Sequence, residues 1–462
     1  MVFSSLLFLF CFLPVTFAVY YIAPVRLKNA VLLIASLVFY SWGEIRFFPV
    51  MIAVILVNYF AGLAIGRWKR NRALSRAVLL LSLVFSIAWL VFFKYSNFLI
   101  DNWNTLTGMA VPYIEAARTL PLGISFYTFQ IMTYTVDVYE GKVETERNII
   151  NFGTFVVLFP QLIAGPIVKY SDISRELHSR KITLGAVQDG IGLFILGLGS
   201  KVLLANSIGA LWSDVAAVGF ANVSTASAWL ALIAFTLQIY FDFSGYSLMA
   251  IGMGKALGFT FPQNFNYPYI SRSVTEFWRR WHMTLSGWFR DYVYIPLGGS
   301  RRGPARNVLN LLVVWALTGL WHGASWNFVL WGLYYFVLLM IERMGLRVFL
   351  DRHPLISHAY SLLAVMLGWG LFAIEGSFGA LGVFFGKLFS LTGGNEWMFY
   401  LRNYAVVLAL GILFSMPVLN RIRDRHPKVC RALALPFLGL ILVLSVAYLV
   451  DSTYNPFLYW NF

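Results

Sequence analysis

The chain has 462 residues, of which 59% are hydrophobic and only 12% carry a charge, and its mean hydropathy is +0.72. Soluble domains carry about 25% charged residues, so a soluble globular fold is excluded. The apolar runs are continuous rather than alternating, which excludes a closed membrane β-barrel. The net charge of +15 comes from basic residues in short loops between apolar runs. That distribution is typical of the cytoplasmic loops of a membrane protein and not of nucleic-acid binding.

Apolar runs of about 18 or more residues recur along the chain, and each can cross a bilayer as a helix. We predict an all-α polytopic bundle, one membrane domain over residues 1–462, with roughly 11–13 transmembrane or re-entrant helices and interfacial amphipathic helices. The first run, Val2–Ala23, is interpreted as a retained span rather than a signal peptide. Spans are predicted at residues 3–24, 29–43, 47–66, 77–100, 121–139, 148–167, 184–206, 226–253, 307–321, 325–342, 356–374, 402–420 and 431–450.

Basic loops predict the orientation of the chain. The loop Arg67–Arg76 is the strongest signal. We expect this loop to lie in the cytoplasm and the N-terminus to lie outside. If the loop Gly141–Arg147 and the tract Lys169–Lys181 both face the cytoplasm, the chain between them must turn back within the membrane. The sequence FPQLIAGPI, Phe159–Ile167, contains the Pro and Gly that such a turn needs. Further cytoplasmic tracts are expected at Arg272–Arg306 and Arg421–Lys428.

The segment Ser273–Gly303 predicts an amphipathic helix. Ser273 and Glu276 have capping-box spacing, which marks the start of the helix. Apolar residues follow at steps of three or four, on one face: Phe277, Trp281, Leu285, Trp288 and Tyr292. Much of the remaining surface carries Arg279, Arg280 and Arg290. Because each arginine would cost about 2.5–3.5 kcal/mol in the middle of a span, we expect an interfacial or protein-buried helix.

The sequence LTGLWHGASWNFVLW, Leu317–Trp331, places His322 inside the stretch Val308–Ile341, which contains no Asp, Glu, Lys or Arg. As one helix that stretch would reach about 51 Å, whereas the hydrocarbon core is about 30 Å thick. The chain must therefore bend, and we expect the bend at Gly319 and Gly323. An irregular turn at membrane depth is tolerated only inside protein or beside a wet cavity. We expect His322 to face such a cavity; the alternative is a neutral histidine that caps the bend.

Asp242, in the segment Gln238–Gly254, is too costly to expose to lipid. It either pairs with a basic residue or shapes a substrate path, and Asp137 and Lys201 are further charged residues of the same kind, either of which could be its partner. The chain has no GxSxG, HExxH or CxxC motif, so nucleophile-elbow and metal chemistry are excluded. A neutral imidazole in a dry cavity suits a general base, which points to direct acyl transfer to a hydroxyl.

Several segments together resemble the membrane-bound O-acyltransferase family, in order and over nearly the whole chain. Within the family the chain is most similar to the bacterial branch of alginate and peptidoglycan O-acetylation proteins. The teichoic-acid D-alanylation branch is less similar at YIPLGGSR and GLWHGA. The segments are PLGISFYTFQ (Pro121–Gln130), FPQLIAGPI (Phe159–Ile167), YFDFSGYS (Tyr240–Ser247), QNFNYPY (Gln263–Tyr269), TEFWRRWHMTLSGWFRDYVYIPLGG (Thr275–Gly299), GLWHGASW (Gly319–Trp326) and NPFLYWNF (Asn455–Phe462).

This resemblance implies a bundle around a central tunnel or funnel, with a cytosolic acyl-CoA donor. The family's active-site histidine position falls on His322, and its second histidine position falls on His282. By that analogy His322 deprotonates the acceptor hydroxyl, which attacks the thioester, and His282 helps to form the donor side. The guanidinium groups suit CoA phosphates, although arginines at such a place also contact lipid headgroups. The candidate substrate- or donor-binding residues are Trp278, Arg279, Arg280, Arg290, Asp242, Trp321 and Asn327.

The resulting prediction is a multi-pass acyltransferase of the bacterial plasma membrane that uses acetyl-CoA as its donor substrate, without a bound cofactor or metal. It supplies acetyl groups for an exported glycan, such as alginate, another exopolysaccharide or peptidoglycan. The expected partner is an exported SGNH-type acetyltransferase or the glycan acceptor itself. Two alternatives stay open: D-alanyl transfer to teichoic acid, and a glycan-precursor transporter in which His322 and Asp242 relay protons.

Overall fold

The structure, a computed structural model, describes residues 1–163, 165–451 and 458. Every regular element in these residues is a helix, as the composition predicts. By their contacts the described residues form two compact units. The first unit comprises Met1–Phe194 and Tyr246–Pro262, and the second comprises Ile195–Gly245 and Gln263–Leu458. The prediction of one domain over residues 1–462 stays a prediction.

The helices are numbered in chain order, and short 3₁₀ and π turns connect several of them. The α-helices of the described residues are α1 (Leu13–Ile22), α2 (Lys28–Glu44), α3 (Phe48–Arg67), α4 (Arg72–Thr107), α5 (Ile124–Glu140), α6 (Ile149–Val157), α7 (Phe159–Leu162), α8 (Tyr170–His178), α9 (Leu184–Gly199), α10 (Ser207–Val218), α11 (Thr225–Ala256), α12 (Val274–Arg280), α13 (Met283–Phe289), α14 (Pro304–His322), α15 (Trp326–Ile341), α16 (Arg347–Arg352), α17 (Pro354–Ala373), α18 (Phe378–Phe389), α19 (Glu396–Phe414), α20 (Val418–Arg425) and α21 (Pro427–Asp451).

Within the described residues, eight helical segments are long and apolar enough to cross a membrane. Two shorter apolar segments, Phe8–Ile22 and Phe378–Phe389, accompany them; the second lies where no span was predicted. These segments confirm the multi-pass, all-α class. The eight are Val25–Arg67, Arg72–Thr107, Leu184–Val218, Thr225–Ala256, Trp326–Arg352, Pro354–Ala373, Glu396–Phe414 and Pro427–Asp451.

The predicted span at residues 148–167 is not one continuous helix. Helix α6 has only nine residues, and the backbone leaves the helical conformation at Leu158, before the four-residue α7. At the ends of this segment, Tyr170 Oη donates to Glu146 Oε2 at 2.8 Å, and His178 Nε2 lies 3.1 Å from the same oxygen. The two ends therefore lie together. This geometry confirms that the segment turns back, as the basic loops on either side predict.

Helices α14 and α15 form an antiparallel pair in the second unit. A Cβ atom added at Gly319 or at Gly332 would lie 2.4 Å from a carbonyl oxygen of the other helix, so both positions require glycine for the close approach. Helix α14 ends at His322, and α15 begins at Trp326 after a short non-helical stretch. The bend predicted around Gly319 and Gly323 is confirmed.

The prediction of one amphipathic helix after Ser273 is wrong. Ser273 Oγ does accept a hydrogen bond from Glu276 N at 3.0 Å, which confirms the predicted start. However, His282 is left-handed, with φ of 44°, and separates α12 from α13. At this break Met283 N donates to the carbonyl oxygen of Asn264 at 2.9 Å instead of to its own helix. The predicted apolar face is nevertheless buried at Phe277, Trp281, Leu285 and Trp288.

Candidate active site

His322, the last residue of α14, is only 2% exposed. Three aromatic rings contact its imidazole, at centroid distances of 5.0 Å for Trp321, 4.9 Å for Trp331 and 5.3 Å for Phe372. All three meet it edge to face, at interplanar angles of 77° to 79°, an arrangement that the ring quadrupoles favour. We call these three rings the aromatic cage. The cage fixes the orientation of the imidazole and limits its exposure to water.

Asn327 positions one wall of the aromatic cage. Its side-chain Nδ2 donates to the carbonyl oxygens of Leu371 and Phe372, both at 3.3 Å, near the end of α17. These bonds join the first turn of α15 to the helix that carries Phe372. Sequence reasoning placed Asn327 among the substrate-binding residues, but its described contacts are with the backbone of α17. In the structure Asn327 therefore supports the aromatic cage through the backbone at Phe372.

His282 is also buried, with 1% exposure, but different contacts hold it. Its Nδ1 lies 3.1 Å from Asn264 Oδ1, so Nδ1–H donates and Nε2 carries the lone pair. Thr284 Oγ1 donates to the same oxygen at 2.9 Å. Burial lowers the pKa of His282 from 6.5 to about 3, which keeps the ring neutral. Nε2 has no hydrogen-bond partner among the described residues, so it remains able to accept a bond.

Trp321 connects the two histidines. Its ring centroid lies 5.0 Å from that of His322 and 5.9 Å from that of His282. The structure therefore brings together both predicted catalytic histidines and Trp321. Trp278 also contacts this cluster, with its ring centroid 5.4 Å from that of Trp331.

A cavity of about 1130 Å³ in the second unit is lined by apolar side chains together with polar and basic ones. Helices α11, α12, α16, α17, α19 and α20 contribute to it. Arg279 and Arg280 are part of its lining, where Arg280 Nε lies 2.9 Å from Glu276 Oε1; their role in binding phosphate stays a prediction. Sequence reasoning missed the other basic residues, which lie up to 142 positions away from Arg279 along the chain. They are Arg272, Arg347, Arg421 and His358, accompanied by Glu276 and Asp351.

Neither His322 nor His282 is among the residues that line this cavity. The expectation that His322 faces a wet passage therefore stays a prediction. Arg290 also lies outside the lining; it is exposed and pairs with Asp291, with Nε 2.8 Å from Oδ1. Its predicted role in holding CoA has no support from this placement.

Asp242 forms a buried ion pair with Lys201, whose Nζ lies 2.8 Å from Oδ1; both side chains are 1% exposed. Lys201 Nζ also donates to Asn206 Oδ1 at 2.7 Å, and the backbone N–H of Leu458 donates to Asp242 Oδ2 at 2.9 Å. The predicted pairing is thus confirmed, with Lys201 as the partner. Asp137 lies instead near Lys142, at 3.8 Å. These described contacts are structural, and the role of Asp242 in binding a substrate stays a prediction.

Comparison with known proteins gives consistent matches. The sequence profile of the membrane-bound O-acyltransferase family matches residues 37–374. The chain is 37% identical, over its full length and that of its relative, to the probable alginate O-acetylase AlgI of Pseudomonas putida. It is 34% identical to the peptidoglycan O-acetyltransferase of Helicobacter pylori, over 74% of this chain and 70% of that protein. Identity to the teichoic acid D-alanyltransferase of Streptococcus thermophilus is 27%, over 58% of this chain and 72% of that protein.

Proposed function

Because the chain belongs to the membrane-bound O-acyltransferase family, we propose that it transfers acetyl groups from acetyl-CoA for the O-acetylation of an exported glycan. The class of the enzyme, a multi-pass membrane O-acyltransferase, follows from family membership and the apolar helices. The choice of an acetyl group is supported by the relatives named for alginate and peptidoglycan O-acetylation. The observation that carries the mechanism is the position of His322, where α14 ends inside the aromatic cage.

In the proposed mechanism His322 is the general base. An imidazole nitrogen takes the proton of the acceptor hydroxyl while the hydroxyl oxygen attacks the thioester carbonyl carbon. The carbon–sulfur bond then breaks, CoA leaves as a thiolate, and the imidazolium returns its proton to that sulfur. An oxygen ester has formed and His322 is neutral again. The aromatic cage keeps the ring oriented and restricts the access of water, which would otherwise hydrolyse the thioester.

The arginine-lined cavity is the proposed site for the phosphate groups of CoA. A guanidinium group binds phosphate oxygens through paired hydrogen bonds, and five arginines line this cavity. Arg272, Arg279, Arg280 and Arg421 belong to tracts that the positive-inside rule assigns to the cytoplasm. The donor therefore enters from the cytoplasmic side. His282, in contact with Trp321, forms part of the donor side of the reaction centre.

The host membrane and the partner follow from the same proposal. We place the protein in the bacterial plasma membrane, where a cytosolic donor and an exported acceptor meet on opposite sides. An exported SGNH-type acetyltransferase finishes the modification of the glycan, or the glycan itself is the acceptor.

Mass analysis of the host's surface glycans, with and without the gene, tests this function. We expect O-acetyl groups to disappear from one glycan when the gene is deleted and to return when it is restored. Unchanged acetylation of every surface glycan would contradict the proposal. Loss of D-alanine from teichoic acid, with acetylation intact, would instead establish the D-alanyl alternative, which the Streptococcus thermophilus relative favours.

The contacts of Asp242 argue against the transporter alternative. It requires Asp242 to exchange protons with His322, but both carboxylate oxygens of Asp242 are engaged, by Lys201 and by the N–H of Leu458. Among the described contacts, both oxygens of Asp242 thus serve a structural pairing, which does not favour a proton relay with His322.

A further inference from the structure

Glu342 directly follows α15 and is only 1% exposed, although it carries a carboxylate. Its Oε1 accepts a hydrogen bond from Val274 N at 2.6 Å. Its Oε2 accepts from Thr275 N at 3.0 Å and from Thr275 Oγ1 at 2.5 Å. The backbone N–H groups of Val274 and Thr275, in the first turn of α12, thus donate to a side chain from a distant part of the sequence.

The charge of Glu342 suits this position. The first N–H groups of a helix have no partner within the helix and form the positive end of its dipole. Hydrogen bonds from such groups to a carboxylate are roughly twice as strong as neutral ones. A glutamine of the same shape offers one oxygen and one NH₂ group. One of the two backbone N–H groups would then face a donor, and the first turn of α12 would lose one of its two backbone hydrogen bonds to residue 342.

Helix α12 is held against α15 at two points. One point is Glu342, and the other is Trp278, whose ring lies 5.4 Å from that of Trp331. Trp331 in turn contacts the imidazole of the candidate active site. Arg279 and Arg280 follow Trp278 directly and line the basic cavity. The position of α12 on α15 therefore sets the position of the two cavity arginines relative to the aromatic cage.

We propose that Glu342 is a positioning residue for the acyl donor. Its carboxylate fixes the first turn of α12 and thereby holds Arg279 and Arg280 where they bind the CoA phosphates. Glu342 itself does not contact the donor or the reacting atoms. This inference rests on the proposed function, because it assigns the cavity to CoA.

The test is the variant Glu342→Gln, purified and assayed for transfer from acetyl-CoA to a hydroxyl acceptor. The loss of charge-assisted hydrogen bonds is expected to raise KM for acetyl-CoA about tenfold, with kcat changed less than about threefold. That division separates a positioning role from general destabilisation, which would lower the amount of active enzyme and leave KM unchanged. An unchanged KM in a folded variant overturns the inference.

A matched control is Glu396→Gln. Glu396 Oε1 accepts from Ser224 N at 2.5 Å, just before α11, so the same chemical change is made at the start of another helix. KM for acetyl-CoA is expected to stay within about twofold of the wild type, since α12 is untouched. Where Glu342→Gln does not accumulate, Thr275→Val removes the hydroxyl contact with Glu342 and is expected to raise KM about threefold. Because Thr275 also lines the cavity, faster amide exchange at Val274 must accompany this rise.

Amide hydrogen exchange distinguishes failure of this inference from failure of the proposed function. If the wild type transfers nothing from acetyl-CoA, the proposed function fails. The exchange rates of Val274 and Thr275 still report on the role of Glu342. We expect both to rise about tenfold in Glu342→Gln while amides of α14 keep their rates. Unchanged exchange in α12 would overturn the positioning role whatever the enzyme transfers.

Discussion

The second unit contains two buried histidines in different settings. His322 ends a long helix and is surrounded by the aromatic cage. His282 has a left-handed backbone, and its Nδ1–H donates to Asn264, so the residue holds together the break between α12 and α13. Burial is almost equal, at 2% and 1% exposure. The contrast teaches that the extent of burial alone does not distinguish the two histidines. The contacts of the ring and the backbone do, and they lead us to propose His322 rather than His282 as the general base.

The largest expected difference between the histidines is in catalysis. His322→Gln removes the proposed general base and is expected to lower acetyl transfer about 10³-fold. The protein should accumulate normally, because the cage still encloses a side chain of similar size. O-acetyl content in cells, relative to the amount of protein in the membrane, measures this effect. His282→Asn is the comparison variant, and a loss of acetylation as large as that of His322→Gln would remove the distinction drawn above.

The helix that carries His322 gives the next effect. Gly319→Ala places a Cβ atom against the carbonyl oxygen of Phe328, and such overpacking costs about 1–3 kcal/mol. We expect a lower midpoint of thermal unfolding and reduced transfer, since α14 must move away from α15. Gly287→Ala is the control, because a Cβ atom there meets nothing within 4 Å. Equal stability of the two variants would show that α14 and α15 do not require this close approach.

A smaller effect is expected from the backbone of His282. His282→Ala and His282→Gly both remove the ring, but only alanine must adopt the left-handed conformation, which costs about 1–2 kcal/mol. The alanine variant should therefore unfold at a lower temperature than the glycine variant. The reverse order would mean that the left-handed corner is not retained.

The smallest effect is the pH dependence of stability. Because the pKa of His282 is lowered from 6.5 to about 3 in the folded protein, the unfolded chain takes up a proton below pH 6.5 and the folded chain does not. This contribution to stability is complete above pH 6.5 and falls as the pH decreases, by at most about 1.4 kcal/mol per pH unit. The unfolding midpoint, measured at about pH 7.5 and pH 5.5, should fall less in His282→Asn than in the wild type.

The fold could be predicted wherever one local signal decided the outcome. Ser273 with Glu276 marked the start of α12, and the length of the uncharged stretch required the bend after His322. The break at His282 could not be predicted, because it depends on Asn264, which lies 18 residues earlier in the chain. The helical spacing of apolar residues continues through His282. The residues before and after it are buried whether the helix is continuous or broken, so the spacing does not reveal the break.

Prediction of the site from the sequence has the same limit, because some of its contacts join residues that are far apart in the chain. The pairing of Asp242 was predicted from the cost of an exposed charge in a membrane, but its partner Lys201 required the packing of two helices. Arg279 and Arg280 were found because they are adjacent to the aromatic motif. Arg347 was missed because it sits in another helix and joins them only through the tertiary fold. Glu342 carries no sequence signal, since its partners lie 67 and 68 residues away.

The most direct test of the central claim is acetyl transfer by the purified protein in lipid vesicles, with radiolabelled acetyl-CoA and a hydroxyl acceptor. The wild type is predicted to form an alkali-labile labelled ester, and His322→Gln is predicted to form almost none while remaining folded. Ester formation by His322→Gln at the wild-type rate would contradict the assignment of His322 as the general base.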